Sequence, residues 1–233
     1  MQLDAFLDLA RSRRAVRKFK PDPLPDGVLT RLLEAARWAP SGYNLQPTHF
    51  VTVTDPRTRE RLYRPCMSQG AVVDAPATVV FAGDRQAHRT RFERALRLDL
   101  EESAIPPAYA DDLRRYVKLG FSTGPVGLGW LLRATVFPLL RWFTPMPSLP
   151  AVHRRYWVTK QVMLAAMSFM LAAKAAGLGT LPMEGFDEGR VRRLLGIPRR
   201  FEVPVIVAVG FTEAGEAKKT RVPLEESLHA DRW

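Results

Sequence analysis

The run at residues 162–173 most constrains what this chain can become. Val162, Met163, Leu164, Ala165, Ala166, Met167, Phe169, Met170, Leu171, Ala172 and Ala173 are broken only by Ser168. Most of these residues favour helix, and the run predicts one long helix over 156–176. A helix apolar nearly all round has no face to give to water, so it is buried on more than one side. The run is about one-half to two-thirds of bilayer-spanning length, which disfavours a lipid solution. In a chain of 233 residues a subunit interface is the economical second cover, and 158–176 is the candidate interface helix. Gly177 follows where a C-cap glycine belongs.

The rest alternates between helix and strand patterns without an internal repeat. Phe6, Leu7, Leu9 and Ala10 predict a short helix over 4–13. Pro21, Pro23 and Pro25 form a rigid extended connector. Asp26 is then expected to cap a helix running to Arg37, with Val28, Leu29, Leu32, Leu33 and Ala36 on its apolar side. Residues 48–54 are rich in β-branched side chains and read as a strand; residues 77–83 are apolar throughout and read as a central one. Asp55 and Pro56 open another helix, 85–102 reads as one charged helix, 188–195 as a short helix and 203–211 as a strand. Residues 105–152, with Pro106, Pro107, Pro138, Pro145, Pro147 and Pro150, are the least legible. This length fits one domain over 1–233, with a variable helical insert or lid at about 105–152 and a polar C-terminal arm at about 212–233.

Charge narrows the partners without choosing one. There are 35 Lys and Arg against 24 Asp and Glu, a net +11. Such an excess attracts phosphate groups, nucleic acid and acidic lipid heads alike. No RNP, KH, helix-turn-helix or zinc-finger pattern accompanies it, so no nucleic-acid partner is expected. Residues 126–143 are apolar enough to test as a membrane contact, but Arg133, Arg141 and Pro138 interrupt them. The N-terminus has an early acid, Asp4, and does not look like a signal peptide. The one cysteine, Cys66, has no cysteine partner in the chain, which suits a reducing, cytoplasmic location. Cys66 also lacks an adjacent activating base. His49, His88, His153 and His229 are scattered, so no metal site is expected. Gly124, Gly127 and Gly129 follow no strand and lack dinucleotide spacing, and no P-loop is present.

Four segments carry the chemistry. Arg13-Arg14-Ala15-Val16-Arg17-Lys18-Phe19 offers guanidinium groups for bidentate phosphate binding, or a solvated basic run at a helix end. Pro40-Ser41-Gly42-Tyr43-Asn44-Leu45-Gln46-Pro47 is a turn by composition, yet Asn44 and Gln46 supply amides suited to a uracil-like ring edge. Gly177-Leu178-Gly179-Thr180-Leu181-Pro182-Met183-Glu184-Gly185-Phe186 reads as a C-cap, a short extended piece and a turn. Lys218-Lys219-Thr220-Arg221-Val222-Pro223 is a basic tail segment.

In this order the four segments resemble the nitroreductase family of FMN-dependent oxidoreductases. The likeness covers about 10–83 and 156–224, and Ala15 departs from it where a serine is common. The resemblance implies an α+β, three-layer fold, with a central, mostly antiparallel sheet flanked by helices, working as an intertwined homodimer. It implies an FMN site formed by Arg13, Arg14, Ala15, Arg17, Pro40, Ser41, Gly42, Asn44, Gln46, Pro182, Met183, Glu184, Gly185, Lys219 and Arg221. Gln69, shortly before the second strand, is added as a candidate for the flavin pyrimidine. Arg17 is expected to stabilise negative charge on the ring rather than to act as an acid or base. NADH or NADPH would reduce the flavin in a ping-pong cycle, and a small acceptor such as a nitroaromatic or quinone would reoxidise it. Enone reduction and dehalogenation are the alternatives within the family. A basic nucleic-acid-binding protein and a membrane-surface protein are the alternatives outside it.

Overall fold

The computed structural model describes residues 2–122, 135–136, 138–145, 150–151, 153–212 and 219–233. Its centre is a four-stranded sheet of β1 (Thr48–Val53), β2 (Ala77–Asp84), β3 (Gly179–Met183) and β4 (Phe201–Gly210), in the order β1-β2-β4-β3. All three pairings are antiparallel. Helices are α1 (Leu3–Ser12), α2 (Val28–Arg37), α3 (Pro56–Tyr63), α4 (Ala71–Asp74), α5 (Ala87–Thr90), α6 (Phe92–Glu101), α7 (Tyr109–Phe121), α8 (Arg154–Ala175) and α9 (Glu188–Leu195).

Alternation along the two inner strands builds the layers. Val79 and Phe81 of β2 join Val205, Val207 and Val209 of β4 beneath α8 and α2. Val80 and Ala82 join Ile206 and Ala208 on the other side, against α3, α4 and α9. Both faces are therefore covered, which is why β2 reads as apolar throughout. A third, smaller core gathers Leu45, Phe92, Leu96, Val117 and Phe121. Gly83 lets the sheet and α8 approach closely, since a Cβ there would strike Val158 and Val162.

The long apolar helix is present as α8, and it buries Val158, Val162, Ala165, Ala166, Phe169 and Ala173. Leu164 and Met167 remain exposed. Gly177 ends it at φ 75°, with Leu178 N–H donating to Ala173 C=O at 2.8 Å. Two readings need correction. Asp26 does not cap α2: the N-cap is Gly27, at φ 73°, with no side-chain cap bond. Residues 85–102 are two helices, because Arg91 leaves helical geometry and its guanidinium donates to Gln46 C=O. The loop reading at 124–129 lies outside the described residues, as do parts of the insert at 105–152, the stretch 126–143 and the arm at 212–233. No helix among the described residues is long and apolar enough to cross a membrane.

Candidate functional site

The chain's two ends meet at the end of α1. Lys219 Nζ donates to the carbonyl oxygens of Ala10 (3.0 Å), Arg11 (3.4 Å) and Arg13 (2.8 Å). Three ammonium hydrogens thus meet three carbonyls left over by the helix, and the cation sits at the negative end of the helix dipole. Arg13 is half-buried beside it, and its basicity is lowered by burial first and by Arg221 second. Lys219 is lowered by desolvation and by Arg13, Arg221 and Arg14. These cations crowd one another, and among the described residues no carboxylate forms an ion pair with Arg13, Lys219 or Arg221. Arg13 Nη1 is buried with no hydrogen-bond partner among the described residues. A buried, unpaired donor within a repelling cluster is costly, and an anion would relieve both defects.

The adjoining backbone leads from this cluster along β3. Ala15 bridges to Thr180, and Val16 N–H donates to Thr180 C=O at 2.9 Å. Gly179 is required here, because a Cβ would strike Thr212 and Val16. Arg17 is exposed between Val16 and the buried Phe19. From Thr180 the strand runs through half-buried Pro182 and buried Met183 to exposed Glu184 and Gly185. That is about 16 Å of extended chain. At its far end Gln69 Nε2 donates to Gly185 C=O at 3.0 Å. Gln69 follows two left-handed residues, Met67 and Ser68, both at φ 56°. A Cβ on Gly185 would enter open space.

The loop at 40–47 forms a second, separate group. It feeds β1, whereas Ala15 and Gly185 accompany β3, so the two groups sit at opposite edges of the sheet. Tyr43, Asn44 and Gln46 have φ of 56°, 48° and 45°. Three left-handed non-glycine residues in four positions are uncommon and mark a geometry imposed by its surroundings. Gly42 N–H donates to Gln161 Oε1 at 2.9 Å, and Gln46 N–H to Ser41 Oγ at 2.9 Å. Asn44 Nδ2 donates to Asp99 Oδ1 at 2.9 Å, and Gln46 Nε2 to Asn44 Oδ1 at 3.2 Å. Pro40, Ser41 and Gln46 line a cavity of about 240 Å³ with Arg37, His49 and Arg91.

Sequence reasoning missed Gln161, Arg91 and Asp99, which hold this loop. Gln161 had a visible signal, as a polar residue entering an apolar helix. Asp99 had none, lying 55 residues from Asn44. Cys66 is buried, and desolvation pushes its thiol up to about 11. Burial and this shift disfavour the reactive thiolate at neutral pH.

The nitroreductase family model matches residues 10–211. A Thermus thermophilus protein named NADH dehydrogenase is 32% identical over 216 residues, covering 93% of this chain and 91% of that one. An Exiguobacterium sibiricum protein, described as a nitroreductase in complex with FMN, superposes with a TM-score of 0.75 at 20% identity, covering 97% of both chains. The NADPH:FMN oxidoreductase of Vibrio harveyi, solved with NAD+, gives 0.66 at 20% identity, covering 98% of this chain and 77% of that one. At these identities the two structures establish a shared fold.

Proposed function

This chain belongs to the nitroreductase family, and from that premise we propose that it is an FMN-dependent NAD(P)H oxidoreductase acting on small acceptors such as nitroaromatics or quinones. The observation that carries the reading is the cation cluster at the end of α1, with its buried, unpartnered Arg13 Nη1. A phosphate monoester supplies what that cluster lacks: two negative charges and several acceptor oxygens. Bound FMN would supply hydride acceptance and donation.

The protein's tasks are binding, orientation and electrostatics. Arg13 and Arg221 bind the phosphate, with Arg14 beside them. Lys219 holds the C-terminal segment against α1 and adds to the positive field. Backbone from Pro182 to Gly185 flanks the ring, and Gly185 leaves room for close approach. Gln69, already joined to Gly185, faces the pyrimidine side. Arg17 favours negative charge on the ring through an adjacent cation.

Pro40, Ser41, Gly42, Asn44 and Gln46 reach the same cofactor only from a second copy, since one chain holds them at the opposite sheet edge. Three further features favour the homodimer. Leu164 and Met167 form an exposed apolar stripe on α8. Among the described residues the outer side of β1 carries no neighbouring strand. Val222, Leu224, Leu228 and Trp233 of the arm are exposed in the single chain. Burial of these surfaces would tie stability to association. A cytoplasmic location accords with the single buried thiol.

The test is spectroscopic. The protein as purified is expected to show a flavin absorption spectrum that bleaches when NADH or NADPH is added under nitrogen. Colourless protein that gains no such spectrum on incubation with FMN contradicts the reading. Sedimentation at a dimer mass, with the monomer mass as the contradicting result, checks the assembly.

A further inference from the structure

We infer that Asp99 is a positioning residue for the 40–47 loop: through Asn44 it sets which end of the Gln46 side-chain amide is left for a ligand. The inference rests on the flavin reading and deepens it. The backbone of the loop is already held. Leu45 is fully buried and packs in the third core with Phe92 and Leu96 of α6. Gln46 N–H donates to Ser41 Oγ, and Gln46 C=O accepts from the Arg91 guanidinium. With the main chain fixed on both sides of Gln46, the sense of its side-chain amide is what remains to be chosen.

Asp99 makes that choice. An ionised carboxylate accepts hydrogen bonds and donates none. Asp99 Oδ1 and Oδ2 lie 2.9 and 3.2 Å from one atom of the Asn44 amide, which is therefore Nδ2. The other end of that amide, Oδ1, lies 3.2 Å from the Gln46 side chain. An amide oxygen also only accepts, so Gln46 meets it with Nε2. Each amide donates to the next, from Gln46 to Asn44 to Asp99, and the direction is imposed by the member that has no hydrogen to give.

The open end of this relay is Gln46 Oε1, which has no hydrogen-bond partner among the described residues. Gln46 lines the cavity of about 240 Å³ together with Ser41, His49 and Arg91, whereas Asn44 does not line it. The two amides are thus unequal. Asn44 is a connector that acts on the cofactor through Gln46, and Gln46 presents an acceptor that a donor group of the ligand meets. Helix α6, which carries Asp99 on a turn next to the buried Ala95 and Leu96, supplies the rigid support that such an orientation needs.

FMN affinity of the flavin-free protein is to be measured by fluorescence titration, with thermal melts beside it. Asp99→Leu removes the fixed acceptor, and Gln46→Met removes the amide it orients. Each is expected to weaken FMN binding about fivefold. The two together are expected to lose no more than Gln46→Met alone, because Asp99 acts through Gln46. Additive losses overturn the inference, since a general loosening of the loop would still be felt with methionine at position 46. An exchange keeps the test open should Asp99→Leu fail to fold. Asn44→Asp alone sets carboxylate against carboxylate and is expected to weaken FMN binding about tenfold. Adding Asp99→Asn restores a donor at position 99. The carboxylate at position 44 then accepts from it and from Gln46 Nε2, and affinity is expected to return to within about threefold of native. A recovered melting temperature without recovered affinity overturns the inference, because Asn44 itself would then be the group that meets the cofactor. Native protein that binds no FMN removes the flavin reading and the inference with it. Native binding with either check failed removes the inference alone.

Discussion

Lys219 Nζ donates to the carbonyl oxygen of Arg13 at 2.8 Å across 206 residues of sequence. The same ammonium bonds Ala10 and Arg11, so one side chain closes the end of α1 and fixes the C-terminal segment to the N-terminal one. That junction delivers Arg221 to Arg13. Lys219→Met keeps the stem but removes the three bonds. It is expected to cost about 0.5–1 kcal/mol of stability and to weaken FMN retention several-fold, because Arg221 loses its anchor. Thermal melts and equilibrium dialysis check the two effects.

Arg17 is proposed to act on the ring electronically. Arg17→Ala removes an exposed cation without touching the core, so folding should be unaffected. An adjacent charge worth about 1 kcal/mol corresponds to about 20 mV for a two-electron couple. The flavin midpoint potential is expected to fall by about that amount in a spectroelectrochemical titration. An unchanged potential removes the electronic role.

His88 gives the protein an acid-side weakness. Its ring stacks on Phe121 at 4.7 Å, and its pKa is lowered to about 4 by burial first, then by Arg154 and Arg89. The unfolded chain takes up this proton near pH 6.5, whereas the folded one resists until about pH 4. The neutral ring therefore supports the fold fully above about pH 6.5, and that support is lost as pH falls toward 4. After allowance for its half-exposed position, the loss is about 1 kcal/mol. His88→Phe keeps the stack without the titration, so its melting temperature is expected to drop less between pH 7 and pH 4.5 than that of the native protein.

Glu202 joins β4 to α8 and the end of β2. It is buried, and its carboxylate meets Arg85 at 3.3 Å and Arg155 at 3.1 Å. Glu202→Gln leaves the buried position polar but removes the charge that both cations face. A loss of about 1–3 kcal/mol is expected, less than for a fully buried pair because Arg155 is largely exposed. The melting temperature should fall by about 2–4 °C for each kcal/mol.

Legibility followed the physics of each segment. The helix α8 could be read because its apolar run is longer than any strand and ends at a glycine. The strand β2 could be read because both of its faces are buried. The helix α7 escaped because exposed Tyr116 and Leu119 blur an inward face of Ala110, Leu113, Val117 and Phe121 that is otherwise spaced as a helix. Asp26 misled because a left-handed Gly27 took the capping position one residue later. At the candidate site, residue types suggested phosphate and amide chemistry, but partners distant in sequence left no local trace. Nothing near Asn44 announces Asp99, and nothing near Ala10 announces Lys219. The separation of the 40–47 loop from Arg13 across the sheet is a property of strand order, which local patterns do not encode.

The central claim is that cations from both ends of the chain hold a phosphate. It is tested most directly by comparing the binding of FMN with that of riboflavin, which lacks only that group. Flavin-free protein is expected to bind FMN at least 100-fold more tightly, equivalent to about 2.7 kcal/mol. Arg13→Ala and Arg221→Ala should each lose most of that preference while leaving riboflavin affinity unchanged. Equal affinity of the native protein for the two flavins would contradict the account.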